Sequence, residues 1–447
     1  MYDLIVIGAG PGGYEAAAHA GRMGKKVALV EKEHIGGTCL NVGCIPAKAF
    51  LRSSRLYREC GEAASFGVQI DGFRFDMPVV VARKNRIVDT LVKGVDGLLK
   101  RSGVEVFNGR ALLIARNRVQ VGAEVLEAAN ILIATGSRPA VPPIPGIDSD
   151  SVLNSNSVFD ITKVPARIAI IGGGYIGLEF ASFFSEIGTE VAVFEMLPQI
   201  ATGCDGDISN RLLQSLKRSG VTFNLSCKVL GIEDGTIRYV DSSGAQQAYS
   251  ADRVLNSTGR SPVVQDLGLE DVGVDFSPRG IRITDQGRTN VPGIWACGDV
   301  TGQHMLAHVA TREGTVAVNC MFGKPDRIRY DAIPAVIYTH PEVATVGRTE
   351  EDLKAAGIPY AKAMVPMGVA GRFLIENEKG SGFVKVLTGS PHGVILGVHA
   401  MGDSSSEFIV AAAALIETEL LASHAAEIVF PHPTVSEALR EAILQAQ

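Results

Sequence analysis

Two stretches of the chain share one pattern of apolar and polar positions. A run of four apolar residues, Leu4 to Ile7 in the first stretch and Ile168 to Ile171 in the second, is followed at once by a glycine-rich segment. A helix-like stretch then ends at a glycine suited to a helix C-terminus, and a second apolar run ends in an acidic residue. Each stretch is therefore predicted to fold as strand, glycine turn, helix and strand.

The two glycine-rich segments, 8–13 and 172–177, coincide when the first is shifted by 164 positions. Glycines in this pattern let the backbone close on a pyrophosphate at a helix N-terminus, and the acid after the second strand accepts hydrogen bonds from a ribose. Two copies at one offset predict two dinucleotide sites. The shift superimposes Gly8, Gly10, Gly13, Glu15, Gly24, Val27 and Glu31 on Gly172, Gly174, Gly177, Glu179, Gly188, Val191 and Glu195.

A shorter repeat supports this duplication. The apolar runs 131–134 and 254–255 both lead to a Thr-Gly pair, at 135–136 and at 258–259, and a proline stands three residues after each glycine. We interpret each copy as the segment that brings the chain back under a nucleotide, although a plain strand-to-turn junction has the same pattern.

The pattern changes towards the C-terminus. The segment 294–299 is typical of a buried strand ending in an acid, and from about Tyr330 the chain alternates glycine-punctuated strands with apolar helices. We expect strands over 382–387 and 393–399, and helices over 408–420 and 436–444. This region is predicted to form a separate α+β domain.

Composition narrows the class of protein. The 447 residues suggest about three domains, and 46% apolar with 20% charged residues is typical of a globular chain. A net charge of −6 argues against nucleic-acid and anionic-membrane partners. The longest uncharged apolar run, 168–178, is too short for a membrane span, and no basic segment opens the chain. We expect a soluble cytoplasmic protein.

Cys39 and Cys44 follow closely after the acid of the first repeat. In a regular helix their Cα atoms would be about 8.6 Å apart, beyond the roughly 7 Å limit for a disulfide. A bridge therefore needs a distorted turn, which Asn41 and Gly43 tolerate. So short a loop gains little stability from cross-linking, which favours a redox role over a structural one. Metal ligation is the competing interpretation, but no paired His or Cys spacing accompanies these two thiols.

Other residues near the pair are open to two interpretations. Lys48 stands four residues after Cys44, so on a helix starting near Pro46 its charge would favour a Cys44 thiolate; alone, it is more often a surface lysine. The other cysteines are expected to be small buried hydrophobes: Cys60, Cys204, Cys227, Cys297 and Cys320.

These motifs together resemble the flavin-dependent pyridine nucleotide–disulfide oxidoreductases. The resemblance covers the whole chain and is carried by 36–48, the second glycine segment running into Glu179, 297–299, and the C-terminal segment 432–437. It implies an α/β chain with two Rossmann-like dinucleotide-binding domains, one for FAD and one for NAD, and a C-terminal α+β dimerisation domain. The implied bounds are 1–145 with 264–329 for the FAD domain, 146–263 for the NAD domain, and 330–447 for the dimerisation domain.

The resemblance also assigns cofactor-binding residues by position. Those implied to hold FAD are Gly8, Gly10, Gly13, Glu31, Thr38, Lys48, Ala111, Thr135, Gly136, Ser137, Asp299, Met305, Leu306, Ala307 and His308. Those implied to hold NAD are Gly172, Gly174, Gly177, Glu179, Glu195, Val229 and Gly259.

The activity implied is oxidation of protein-bound dihydrolipoamide to lipoamide with reduction of NAD. Cys39 would be attacked by the substrate, the Cys44 thiolate would lie against the flavin, and Lys48 and Glu179 would pair near it. His432 is the implied base, held by Glu437 and facing the cysteine pair of the other subunit of a homodimer. The competing interpretation is that Glu437 folds back onto the Thr434 N–H as part of a capping box.

Some residues depart from the family pattern. Ala47 and Phe430 stand where many members have Ser and His, and the chain starts without a lipoyl-carrying extension. The substrate would then come from a separate lipoyl-carrying protein of a 2-oxo acid dehydrogenase or glycine-cleavage complex. The alternatives are a glutathione-type reductase, a mercuric-type reductase, which should carry a further C-terminal Cys pair, and a non-catalytic scaffold subunit of such a complex.

Overall fold

A computed structural model of the chain describes residues 1–378 and 380–446. The predicted strand–turn–helix–strand unit opens the chain and is confirmed. The first 145 residues contain β1 (Tyr2–Ile7), α1 (Pro11–Arg22), β2 (Val27–Glu31), α2 (Gly37–Val42), α3 (Cys44–Glu62), α4 (Met77–Arg101), β3 (Glu105–Asn108), β4 (Ala111–Ala115), β5 (Arg118–Val121), β6 (Glu124–Ile133) and β7 (Ser137–Pro139).

The second copy of the unit is confirmed in the same way. Residues 146–329 contain β8 (Val152–Asn154), β9 (Arg167–Ile171), α5 (Tyr175–Glu186), β10 (Glu190–Phe194), α6 (Gly206–Arg218), β11 (Thr222–Asn224), β12 (Lys228–Glu233), β13 (Thr236–Val240), β14 (Gln246–Ser250), β15 (Arg253–Asn256), β16 (Arg260–Pro262), β17 (Phe276–Ser277), β18 (Gly280–Ile281), β19 (Ile294–Ala296) and α7 (Ala307–Met321).

The C-terminal region contains strands and helices as expected. Its elements are β20 (Ala335–Ile337), β21 (Val343–Gly347), α8 (Glu350–Ala355), β22 (Tyr360–Pro366), α9 (Gly371–Glu376), β23 (Phe383–Gly389), β24 (Val394–Met401), α10 (Ser405–Glu417), α11 (Ala422–Ala425) and α12 (Glu437–Gln445).

Two sheets, the first mixed and the second parallel, place the glycine segments alike. The first sheet has the order β3-β2-β1-β6-β5-β4, with β19 also paired to β6, and the second has the order β11-β10-β9-β15-β8. β1 and β9 are therefore internal strands, and each is flanked by parallel neighbours. The turn after each of them opens at the carboxyl edge of its sheet, where ligands of open α/β sheets bind.

The shorter repeat links the two sheets. β7 and β16, the strands that follow the two Thr-Gly pairs, pair with each other antiparallel, with Pro262 opposite Ser137 and Arg260 opposite Pro139. The two copies therefore form one ribbon between the nucleotide folds, rather than each closing only its own half.

The C-terminal sheet is antiparallel, in the order β20-β21-β24-β23-β22. Helices α10 and α12 pack on it through an apolar core that includes Val386, Val398, Ile409 and Leu439. Helix α10 begins and ends three residues before its expected bounds, because apolar periodicity marks a buried face and not the caps. Ser404 and Glu419, both at positive φ, bracket it.

A buried group of charges joins the second nucleotide fold to the C-terminal sheet. Lys385 on β23 is 1% exposed, and its Nζ lies 2.8 Å from Asp205 Oδ1, 2.8 Å from Asp207 Oδ2 and 2.5 Å from Glu350 Oε2. Burial would lower the pKa of Lys385, but its hydrogen bonds to Asp205, Asp207 and Glu350 raise it above the usual range. These four residues are called the Lys385 cluster below.

Three of the five remaining cysteines are buried, as predicted. Cys204, Cys227 and Cys297 are buried as expected, but Cys60 and Cys320 are only half-buried because they lie in the last turns of α3 and α7. The acid of 294–299 lies beyond its strand, in a short 3₁₀ segment, Gly298–Thr301. Over residues 1–378 and 380–446, no helix is long and apolar enough to cross a membrane.

Candidate active site

The first glycine turn is built by close backbone approaches. Gly8 has φ +101°, and a Cβ there would overlap the Ala134 carbonyl oxygen. A Cβ at Gly13 would overlap the carbonyl oxygen of Gly8, whereas a Cβ at Gly10 would meet nothing within 4 Å. Gly10 also caps α1 without a side-chain hydrogen bond, which leaves first-turn N–H groups to bind an anion. The residues therefore fit a dinucleotide pyrophosphate in front of α1.

The second turn repeats this geometry. Gly172 has φ +107° and lies against the Ser257 carbonyl, a Cβ at Gly177 would overlap the Gly172 carbonyl oxygen, and Gly174 faces open space before α5. Repetition of the two close contacts and of the open position means that the duplicated sequence encodes a duplicated backbone cradle.

Both terminal acids bind the turn they follow. Glu31 Oε2 accepts from the Ala9 N–H at 2.7 Å, and Glu195 Oε2 accepts from the Gly173 N–H at 2.6 Å. The second oxygen of each carboxylate accepts from the N–H two residues later in the chain. The acids are therefore held at the mouths of the turns, and carboxylate oxygens have lone pairs left for a ribose.

The other residues implied to hold cofactors are spread over several elements. Thr135 Oγ1 donates to the Val263 carbonyl, and Ser137 Oγ donates to Asp299. Leu306 caps α7, and His308 contacts the Pro334 carbonyl. Ala111 begins β4 and packs in the core beneath the first sheet, Val229 lies on β12, and Gly259 has φ +114°.

The cysteine segment is two helices with a break between them. Cys39 lies in α2, Cys44 is the first residue of α3, and Gly43 separates them, where a Cβ would lie 2.8 Å from the Thr38 carbonyl oxygen. Asn41 Nδ2 donates to the carbonyls of Ile35 and Gly37. The distorted turn predicted from Asn41 and Gly43 is therefore confirmed. Helix α3 starts at Cys44, two residues before the expected start.

The two thiols differ strongly in acidity. A hydrogen bond from the Cys39 thiol and the charge of Lys48 together lower the pKa of Cys44 to about 7, against the opposing effect of burial. The same hydrogen bond, with burial, raises the pKa of Cys39 above the usual range. Both cysteines are free thiols in this structure. At neutral pH the negative charge of the pair therefore resides on Cys44.

Lys48 and Glu179 form a shielded ion pair next to the thiols. Lys48 Nζ lies 2.8 Å and 2.9 Å from the two carboxylate oxygens of Glu179, which is 8% exposed. Tyr338, from the C-terminal region, donates its N–H to Glu179 Oε1 at 3.0 Å and places its ring 4.3 Å from Lys48 Nζ. Tyr338 could not be predicted from the sequence, because no local pattern marks a residue whose partners lie so far away along the chain.

The acidity of Cys44 gives a testable pH dependence. Alkylation of Cys44 in the reduced protein should reach half its maximal rate near pH 7, because the thiolate is the nucleophile. Lys48→Met should move this midpoint to higher pH, whereas Arg52→Met, an exposed cation one turn further along α3, should not. The rate is measured with iodoacetamide from pH 5 to 10, with Cys44→Ser identifying the signal. A midpoint at the usual thiol pKa would rule out the electrostatics described.

His432 and Glu437 are brought together by the turn before α12. His432 Nδ1 donates to Glu437 Oε1 at 2.9 Å, and the Thr434 N–H donates to Glu437 Oε2 at 2.9 Å. The two interpretations of Glu437 are thus compatible, since one carboxylate makes both bonds. The capping box is only half formed, however: the Thr434 hydroxyl contacts Pro431 and Ser436, and the helix begins at Glu437 with Ser436 as its N-cap.

The imidazole of His432 faces solvent. Its side chain is 77% exposed, and the hydrogen bonds of the described residues include none between it and Cys39 or Cys44. The imidazole lies beside an open groove of about 600 Å³ lined by Phe408, Val410, Val429, Phe430 and Pro433.

Known proteins match this arrangement along the whole chain. The model of the pyridine nucleotide-disulphide oxidoreductase family matches residues 2–314, and the model of its dimerisation domain matches residues 333–443. Dihydrolipoyl dehydrogenase 3 of Pseudomonas aeruginosa is 40% identical over 99% of this chain and 97% of its own length. Dihydrolipoyl dehydrogenase of Chlamydia muridarum is 39% identical over 100% of this chain and 97% of its own.

Solved structures agree with these matches. LpdA from Mycobacterium tuberculosis superimposes with a TM-score of 0.92 at 26% identity, covering 99% of both chains. The HOCl-induced flavoprotein disulfide reductase RclA from Escherichia coli superimposes with a TM-score of 0.88 at 26% identity, covering all of both chains. The duplicated nucleotide fold, the paired thiols and these matches lead to one conclusion: the chain belongs to the pyridine nucleotide–disulphide oxidoreductase family.

Proposed function

We propose that this protein oxidises protein-bound dihydrolipoamide to lipoamide and reduces NAD, using FAD and the Cys39–Cys44 pair. The observation that carries the proposal is the acidic Cys44 thiol beside Cys39 and one helical turn before the Lys48–Glu179 pair. Such a dithiol, combined with two dinucleotide cradles, is suited to moving two electrons between a substrate dithiol and a nicotinamide. The full-length similarity to two dihydrolipoyl dehydrogenases supports this substrate.

The residues that would hold FAD are those of the first cradle together with Thr38, Lys48, Ser137 and Asp299, and those of the second cradle with Glu195 would hold NAD. FAD supplies the relay of an electron pair between the thiols and the nicotinamide. The domain bounds 1–145 with 264–329, 146–263 and 330–447, and a place in the cytoplasm, remain part of the proposal.

The thiol steps balance as a two-electron exchange. A substrate thiolate attacks Cys39 of the oxidised pair, the S–S bond breaks, and Cys44 leaves as a thiolate beside Lys48. The second substrate thiol then attacks the substrate sulfur of the mixed disulfide. The bond between that sulfur and Cys39 breaks, which releases lipoamide and leaves Cys39 reduced. The substrate dithiol loses two electrons, and NAD⁺ finally gains them with one proton.

His432 would accept the protons that the substrate dithiol loses. Its Nδ1 is occupied by Glu437, so Nε2 is the nitrogen available as a base. The match to the dimerisation domain supports a homodimer, and we propose that His432 of one subunit serves the thiols of the other. The substrate would be carried by a lipoyl protein of a 2-oxo acid dehydrogenase or glycine-cleavage complex.

A steady-state assay of the purified protein tests the proposal. Dihydrolipoamide with NAD should be the preferred pair over glutathione and over NADP, and Cys39→Ser should abolish turnover. Cys60→Ser, a half-buried cysteine of the same helix as Cys44, is the matched control and should keep full turnover. Faster turnover with glutathione would favour a glutathione-type reductase. A Cys39→Ser protein that still supports the multienzyme complex would favour the scaffold alternative.

NAD should be preferred because Glu195 stands at the ribose end of the second cradle, where a carboxylate repels a 2′-phosphate. Glu195→Arg should lower the ratio of kcat/KM for NAD to that for NADP by about tenfold or more, the effect of one charge-assisted hydrogen bond. Glu190→Arg, at the other end of β10, is the control and should leave the ratio unchanged. Equal kcat/KM values in the unmodified protein would contradict the role of Glu195.

A further inference from the structure

Arg260 extends from the second nucleotide fold into the first. It directly follows the Thr-Gly pair of the shorter repeat and begins β16, which pairs with β7. Its side chain is 12% exposed, although a guanidinium is almost never buried without partners.

The guanidinium contacts three of the residues implied to hold FAD. Nε donates to Ser137 Oγ at 2.7 Å, and Nη2 donates to the Ser137 carbonyl at 2.8 Å and to Thr38 Oγ1 at 3.4 Å. Nη1 donates to Ser155 Oγ at 3.4 Å, and Nε lies 4.0 Å from Asp299 Oδ2. The Ser137 hydroxyl in turn donates to that same Asp299 oxygen.

This chain of bonds has a fixed direction. A hydroxyl has one proton, and because Arg260 Nε–H already donates to Ser137 Oγ, the Ser137 proton is directed to Asp299. A charged donor at one end and a carboxylate at the other strengthen both bonds in a site shielded from water. The orientation of the Asp299 carboxylate is therefore set by a residue of the other nucleotide fold.

We propose that Arg260 is a positioning residue of the flavin site, which holds Asp299 through Ser137 and rests against Thr38. The inference relies on the proposed roles of Thr38, Ser137 and Asp299 in holding FAD. A different role for Arg260, that of fastening β7 to β16 alone, predicts a loss of stability independent of Ser137.

The test measures FAD release from the holoenzyme by timed dilution followed by rapid gel filtration. Arg260→Met should release FAD about 10- to 100-fold faster, because it removes hydrogen bonds made by a charged donor. Arg260→Lys keeps the charge but loses the planar set of donors, so its rate of FAD release should lie between those of the unmodified protein and of Arg260→Met. Arg138→Met is the matched control: Arg138 lies on β7 beside Ser137, but its side chain is exposed and hydrogen-bonds Gln265, so release should stay unchanged.

A double-mutant cycle separates positioning from fastening. If Arg260 acts through Ser137, Arg260→Met combined with Ser137→Ala should release FAD no faster than the more affected single variant. Effects that multiply would overturn the proposal in favour of fastening. Arg260→Lys carries the cycle if Arg260→Met does not fold.

Asp299→Ala distinguishes failure of the inference from failure of its premise. Faster release from Asp299→Ala with unchanged release from Arg260→Met would overturn the role of Arg260 alone. Unchanged release from Asp299→Ala would overturn the assignment of these residues to FAD, and with it this inference.

Discussion

Replacing His432 with Gln should lower the rate of dihydrolipoamide oxidation by about 10²-fold or more, the usual effect of losing a general base. Glutamine can hydrogen-bond but cannot take up the substrate proton. FAD content and folding should be unchanged, because the His432 side chain is 77% exposed and, within residues 1–378 and 380–446, hydrogen-bonds Glu437 alone. Electron transfer from NADH to a dye should also survive, since it needs no proton from a substrate thiol.

Two further variants make this result decisive. His424→Gln, an exposed histidine of the same domain, is the matched control and should keep full turnover. Glu437→Gln should lower turnover if the carboxylate orients the imidazole through the 2.9 Å bond. If it instead costs only about 1 kcal/mol of stability at unchanged turnover, the bond to the Thr434 N–H is its whole role.

Replacing Lys385 with Met should lower the free energy of unfolding by about 3–5 kcal/mol, the cost of leaving buried charges uncompensated. The variant would leave Asp205, which is fully buried, and Glu350, which is 9% exposed, without the ammonium that both contact. The effect should appear in urea unfolding of the holoenzyme, as a lower midpoint at an unchanged slope.

Lys354→Met is the control for the Lys385 cluster, because Lys354 also pairs with Glu350. Its side chain is 62% exposed, so its removal should lower the urea midpoint far less than Lys385→Met does. Equal effects of the two substitutions would mean that the cluster does not bind the second nucleotide fold to the C-terminal sheet.

The parts of the site that depend on local backbone geometry could be predicted from the sequence. Gly8 and Gly172 adopt positive φ and lie against a neighbouring strand end, which restricts both positions to glycine. The break between Cys39 and Cys44 was likewise predictable, because the spacing of the pair excludes a bridge on a regular helix. Helix ends were less predictable: the Thr434 hydroxyl forms other contacts, so α12 starts two residues later than a Thr434 cap requires.

The sequence by itself determined the duplicated nucleotide fold, the redox pair and the family, because each is encoded within short segments whose backbone conformation depends on the residues present. Only the tertiary structure decided which distant groups meet: Tyr338 with Lys48 and Glu179, Arg260 with Ser137, and Lys385 with Asp205. These partners are more than 100 residues apart in the chain. Their contacts arise from how the folds pack against each other. Periodicity along the chain predicts which face of an element is buried, but it does not predict which distant element covers that face.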